Sequence, residues 1–101
     1  MNIIELENQM KKLQEYELEI VKNKSIDYSG EKDVFCNFNW FGEFGFLVRM
    51  FDKMMRIKHI IENKGYKIKN ETLKDTLVDL VNYANLLILY LDRKNRNIRK
   101  E

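Results

Sequence analysis

The chain has 101 residues, 45% of them hydrophobic and 34% charged, with 18 Lys or Arg against 16 Asp or Glu. A net charge of +2 is too balanced for a face that neutralises duplex phosphates, and the mixture of apolar and charged residues excludes a disordered chain. One cysteine, Cys36, and one histidine, His59, exclude an internal disulfide and a Cys-rich zinc site.

The opening "MNIIELENQMKK" is charged within five residues, which is wrong for a signal peptide. No apolar run reaches the roughly 18 residues that a membrane span requires. These features predict a soluble, cytoplasmic protein without membrane contact, in the host cytoplasm if the chain is viral. A chain this short buries only a modest core, so a homo-oligomer is expected, most simply a dimer.

Proline is absent, and glycine occurs only at 30, 42, 45 and 65, so helices can run long. The expected class is all-α, one domain over 1–101 with three main helices. Ile3, Leu6, Met10, Leu13 and Ile20, interrupted at Glu17, follow helical spacing and predict a first helix over 2–23 that packs along one stripe. Residues 24–42 lose that period and carry Tyr28, Phe35, Phe38, Trp40 and Phe41 among Ser, Gly, Asn and Asp. This predicts an ordered loop with aromatic anchors, its rings either capping a small core or lining a pocket for a flat ligand.

A second helix is expected over 43–63, stopped by a left-handed Gly65. Leu47, Met50, Phe51, Met54, Ile57 and Ile61 form its apolar surface, and Arg49, Asp52, Lys53 and Arg56 share the opposite stripe. The third helix is expected over 71–93, with Asn70 as N-cap and the Glu71 carboxylate favoured by the helix dipole. The closing "DRKNRNIRKE" holds five Lys or Arg against two acids and reads as a solvated helix end. Nucleic acid is not an expected partner.

In the third helix Leu73, Leu77, Leu80, Ala84, Leu87 and Leu91 fall within roughly an 80° arc, and Glu71, Asp75, Asp79 and Asn82 oppose them. Leu86 and Leu89 then enter the angular range of the acids, and "LLILYL" is apolar nearly all round, which predicts protein on both faces. Asp75 and Asp79 would thus be enclosed carboxylates needing positive charge nearby. Arg49, Lys53 and Arg56 could pair with them as a structural layer. Alternatively Asp52, Asp75 and Asp79 could hold Mg²⁺ and leave the basic stripe for a ligand's phosphates.

The combined order of "DYSG" at Asp27, Tyr28 and Gly30, "FCNF" at 35–38, "RMFDKMMRI" and "ETLKDTLVDLVNY" with Asn82 and Tyr83 resembles the nucleotide-modification-associated domain family of phages and bacteria. That family is similar to the all-α, MazG-like nucleoside triphosphate pyrophosphohydrolases, and the resemblance covers about residues 24–91. It implies a phage-type nucleotide-binding protein that converts an NTP or dNTP to its monophosphate and pyrophosphate with Mg²⁺. Asp52, Asp75 and Asp79 would ligate the metal, with Glu71 or Glu43 as a further ligand, and Glu71 or Asp75 would take the proton from water. Arg49, Lys53 and Arg56, joined by Lys24, would neutralise phosphates, while Tyr28, Trp40 and Asn39 or Asn37 would hold the base. The relatives carry a Glu pair three apart on the earlier helix, where this chain has Asp52 preceded by Arg49. That departure leaves open a non-catalytic binder that sequesters a nucleotide or host signalling nucleotide, and a helical interaction protein.

Overall fold

The computed structural model describes residues 1–29, 33–63 and 70–100, with side chains at 27–29, 70–72 and 97–100 outside the described set. Among the described residues the chain is all-helical: α1 (Ile3–Ser29), a short 3-10 helix η1 (Phe38–Trp40), α2 (Glu43–Glu62) and α3 (Asn70–Lys100). It divides into two compact units, Met1–Val34 and Phe35–Glu101.

The first unit is α1. Asn2 starts it: its Oδ1 accepts the otherwise orphaned Glu5 backbone N–H at 2.8 Å, and its Nδ2 donates to Glu5 Oε1 at 3.3 Å, which holds the two side chains together over the first turn. The helix runs to Ser29, past the expected end at 23. Loss of apolar period at Lys24 does not end a helix whose backbone meets neither Pro nor Gly before residue 30. Tyr28 accordingly belongs to a helix, where a loop was expected. The stripe of Ile3, Leu6, Met10 and Leu13 is exposed.

In the second unit η1 leads through Gly42 into α2. Gly42 has φ 62° and ψ −144°, a region in which a side chain is strained. Gly45 lets η1 approach closely, since a Cβ there would stand 3.3 Å from the Phe38 ring. Helix α2 ends at Glu62 because Asn63 caps it: both its backbone N–H and its Nδ2 donate to the His59 carbonyl, at 3.1 and 2.8 Å. Gly65, the expected stop, lies outside the described residues. Helix α3 continues to Lys100, so the basic tail extends the helix beyond 93.

Helices α2 and α3 form an antiparallel pair. Glu43 meets Lys94, Phe46 meets Tyr90 and Lys53 meets Asp79, so numbers rise along one helix as they fall along the other. Phe46 is fully buried. The Phe38 ring stacks on it at 3.9 Å, and Phe35 and Tyr90 approach it at 6.3 and 5.3 Å. Two of the aromatic anchors therefore build the core, whereas Trp40 and Phe41 are exposed.

The expected inside and outside are partly reversed. On α2 the side chains with least exposure are Phe46, Met50, Lys53, Ile57 and Ile60, while Leu47, Phe51, Met54 and Ile61 face outward. On α3 the buried residues are Thr76, Val78 and Asn82; Leu77 and Leu91 of the expected leucine seam are exposed, as are Ile88 and Leu89. The expectation that "LLILYL" is covered all round does not hold within this chain. A single helix–helix contact covers one face of each partner, and two apolar faces cannot both be served by it.

Candidate polar site between the second and third helices

Halfway along the α2–α3 contact the apolar packing gives way to polar groups. Lys53 Nζ lies 3.3 Å from Asp79 Oδ2, with side chains 24% and 13% exposed. Thr76 and Asn82, three residues to either side of Asp79 on α3, are buried, and both are engaged by other groups. Among the described residues no buried side-chain N or O lacks a partner. Positive charge for Asp79 thus comes from the neighbouring helix, as the structural-layer alternative anticipated.

Asp75, one turn before Asp79, is exposed, which corrects the expectation that both acids are enclosed. Thr76 beside it is buried, so the α2 contact still covers this turn of α3 while the Asp75 side chain lies open to solvent. Asp52 is also exposed; it is adjacent to Lys53, hence about 100° around the helix from the side chain that reaches Asp79. Among the described residues no three His, Cys, Asp or Glu side chains come together to hold a metal ion. Magnesium requires a near-octahedral shell of oxygens. Among the described residues Asp52, Asp75 and Asp79 are not assembled into such a shell: an ammonium lies beside Asp79, and Asp52 and Asp75 are exposed. The Glu71 side chain lies outside the described residues, so of the expected proton-transfer pair only Asp75 is placed.

The basic stripe is present as a surface. Arg49 and Arg56 are exposed and flank Lys53 on α2, and neither has an ion pair among the described residues. Of the expected base-binding residues, Asn39 and Trp40 sit on η1 and Trp40 is 84% exposed. The Tyr28 side chain is outside the described set. Asn37 is exposed, with its Oδ1 3.6 Å from Cys36 Sγ. Tyr83 is half-buried and packs edge-on to Phe38, the ring centroids 6.4 Å apart, at the edge of the aromatic cluster. Lys24 is exposed on α1. His59 is exposed and faces Asn63 across one turn.

Two partners escaped sequence reasoning. Thr76 sits at the edge of the polar arc, where a hydroxyl beside Asp75 was the only signal. Lys94 donates to Glu43 Oε1 at 2.7 Å across 51 positions, a pairing no local pattern contains. That hydrogen bond holds the Glu43 carboxyl below its ordinary value and raises the Lys94 ammonium. Glu43, considered above as a metal ligand, is therefore engaged by an ammonium. No family model, curated protein or solved structure matches this chain.

Proposed function

We propose that this chain binds a phosphate-bearing nucleotide without requiring a metal ion, and sequesters it rather than cleaving it. The observation that carries this reading is the stripe on α2: two exposed guanidinium groups, Arg49 and Arg56, without ion pairs among the described residues, either side of Lys53. Guanidinium forks match phosphate oxygens in bidentate geometry, and free ones can neutralise a ligand without first breaking an internal pair. Lys53 is anchored by Asp79, which limits the conformational entropy lost when its remaining donors engage an anion. Trp40 supplies an exposed aromatic face and Asn39 an amide, the chemistry that stacks on and hydrogen-bonds a base. The family resemblance points to a nucleotide as the ligand class, and the Lys53 ammonium beside Asp79, with no cluster of three acids among the described residues, favours binding over hydrolysis.

Calorimetry against a panel of NTPs, dNTPs and cyclic signalling nucleotides, with EDTA and then with Mg²⁺, tests it. Binding is expected in EDTA with no pyrophosphate released, and replacing both Arg49 and Arg56 by Ala should weaken it about 100-fold, a factor of ten for each contact of ~1.4 kcal/mol. Absence of binding across the panel by a folded protein would end the reading. Release of pyrophosphate that depends on Mg²⁺ and on Asp79 would instead restore the pyrophosphohydrolase alternative, with Glu71 and Asp75 as its proton-transfer candidates.

A further inference from the structure

Away from α3, helix α2 presents an outward row of Phe44, Leu47, Val48, Phe51, Met54 and Met55, between 46% and 73% exposed. We propose that this row is the seam of a homodimer in which α2 packs antiparallel on the α2 of a second copy, with Phe51 at the two-fold axis. The inference is independent of the nucleotide reading.

At about 150–200 Å² for a side chain of this size, these exposures leave on the order of 600 Å² of apolar surface on one helix face. This is the upper end of what a monomer tolerates, and most of the ~800 Å² that each partner contributes to a standard interface.

The pattern selects a second copy of this chain as occupant. An isologous contact must be self-complementary, so an antiparallel pair centred on residue 51 sets residue 47 against 55 and residue 48 against 54. The row obeys that requirement: Leu47 meets Met55, Val48 meets Met54, and Phe51 meets itself. Phe44, Leu47, Phe51 and Met54 also alternate spacings of three and four, the a/d repeat of two helices packed about 8–10 Å apart. At each end the symmetry sets Phe44 against Lys58 and Glu43 against His59. An ammonium then meets a ring face and a carboxylate meets an imidazole, with Lys58 and Glu43 already paired to Glu62 and Lys94 in their own chain, so no like charges oppose one another. Arg49 and Arg56 lie on the far side of α2 from this row, beside Lys53 where it turns toward Asp79, and dimerisation leaves the two guanidinium groups open.

Two measurements on the full chain decide the matter. Sedimentation velocity should show a dimer for the parent, and Phe51→Glu, which places two carboxylates on the axis, should raise the dimer dissociation constant by at least 100-fold while far-ultraviolet circular dichroism stays helical. In a Cys36→Ser background, Phe51→Cys should cross-link into a covalent dimer with a short bis-maleimide, whereas exposed Asn85→Cys on α3 should not. The cross-link decides the point even if Phe51→Glu fails to fold. A monomeric parent, a dimer indifferent to Phe51→Glu, or cross-linking at 85 in preference to 51 overturns the proposal.

Discussion

Gly42 holds its backbone at φ 62° and ψ −144° immediately before α2, and the cost of replacing it is conformational, because the nearest atom to an added Cβ would be the Tyr90 hydroxyl at an ordinary 3.8 Å. Gly42→Ala should therefore destabilise the second unit by about 1–3 kcal/mol, measured as a lower urea midpoint with an unchanged slope; an unchanged midpoint would mean the turn is not held in this conformation. At Lys53 and Asp79 the sign of an effect depends on whether one partner or both are removed. Asp79→Asn leaves an ammonium in a three-quarters-buried position and should cost about 1–2 kcal/mol, a value reduced from that of a fully buried pair by the remaining exposure to solvent. Lys53→Met combined with Asp79→Leu should recover most of that stability while losing nucleotide binding. If the single substitutions simply add in denaturant melts, the two side chains do not interact.

The α2–α3 pair is closed at one end by Glu43 and Lys94 and filled behind it by the Phe35, Phe38, Phe46 and Tyr90 rings. The ion pair is exposed, so its contribution is small and screened by salt. Its pH dependence has a definite sign. The Glu43 carboxyl is lowered from 4.5, chiefly by the Lys94 hydrogen bond, so its contribution is full above that value and is lost as pH falls through the lowered pKa. The Lys94 ammonium is raised from 10.5, so its share is full below that value and is lost as pH rises through the raised pKa. Glu43→Gln should therefore melt earlier than the parent between those limits and converge with it in acid. Parallel melting curves down to acid pH would show that the contact contributes nothing.

For the whole molecule, outward-facing apolar rows are the dominant feature. Ile3, Leu6 and Met10 on α1, the Phe51 row on α2, and Leu77, Ile88 and Leu89 on α3 are all exposed. Among the described residues no helix is long and apolar enough to cross a membrane, and association of chains would bury these rows. Helix periodicity located all three helices and the start of α2, because unbroken 3.6-residue spacing and the positions of Gly and Asn are local properties. It misplaced the ends of α1 and α3 because apolar pattern reports burial, and a helix can continue where nothing buries it. The polar site was legible as an arc of Asp75, Asp79 and Asn82, and that arc did single out Asp79 and Asn82. The enclosure of Asp75 was inferred from Leu86 and Leu89 further along the same face, and failed because Leu89 is itself exposed and Leu86 only half-buried.

By itself the sequence determined the helical class, the basic stripe of Arg49, Lys53 and Arg56, and the need of Asp79 for positive charge, since each follows from residue type and angular spacing along one helix. Which of two apolar faces on α2 and α3 became the core was decided only by the tertiary structure. Phe46, stacked on Phe38 and packed against Tyr90, joins residues far apart in the chain. That contact rotates both helices so that Lys53 meets Asp79 inside while the Phe51 row turns outward. A helix pattern states which residues share a face, but the choice between two adequate faces rests on the fit of side chains from other helices, which a local pattern does not contain.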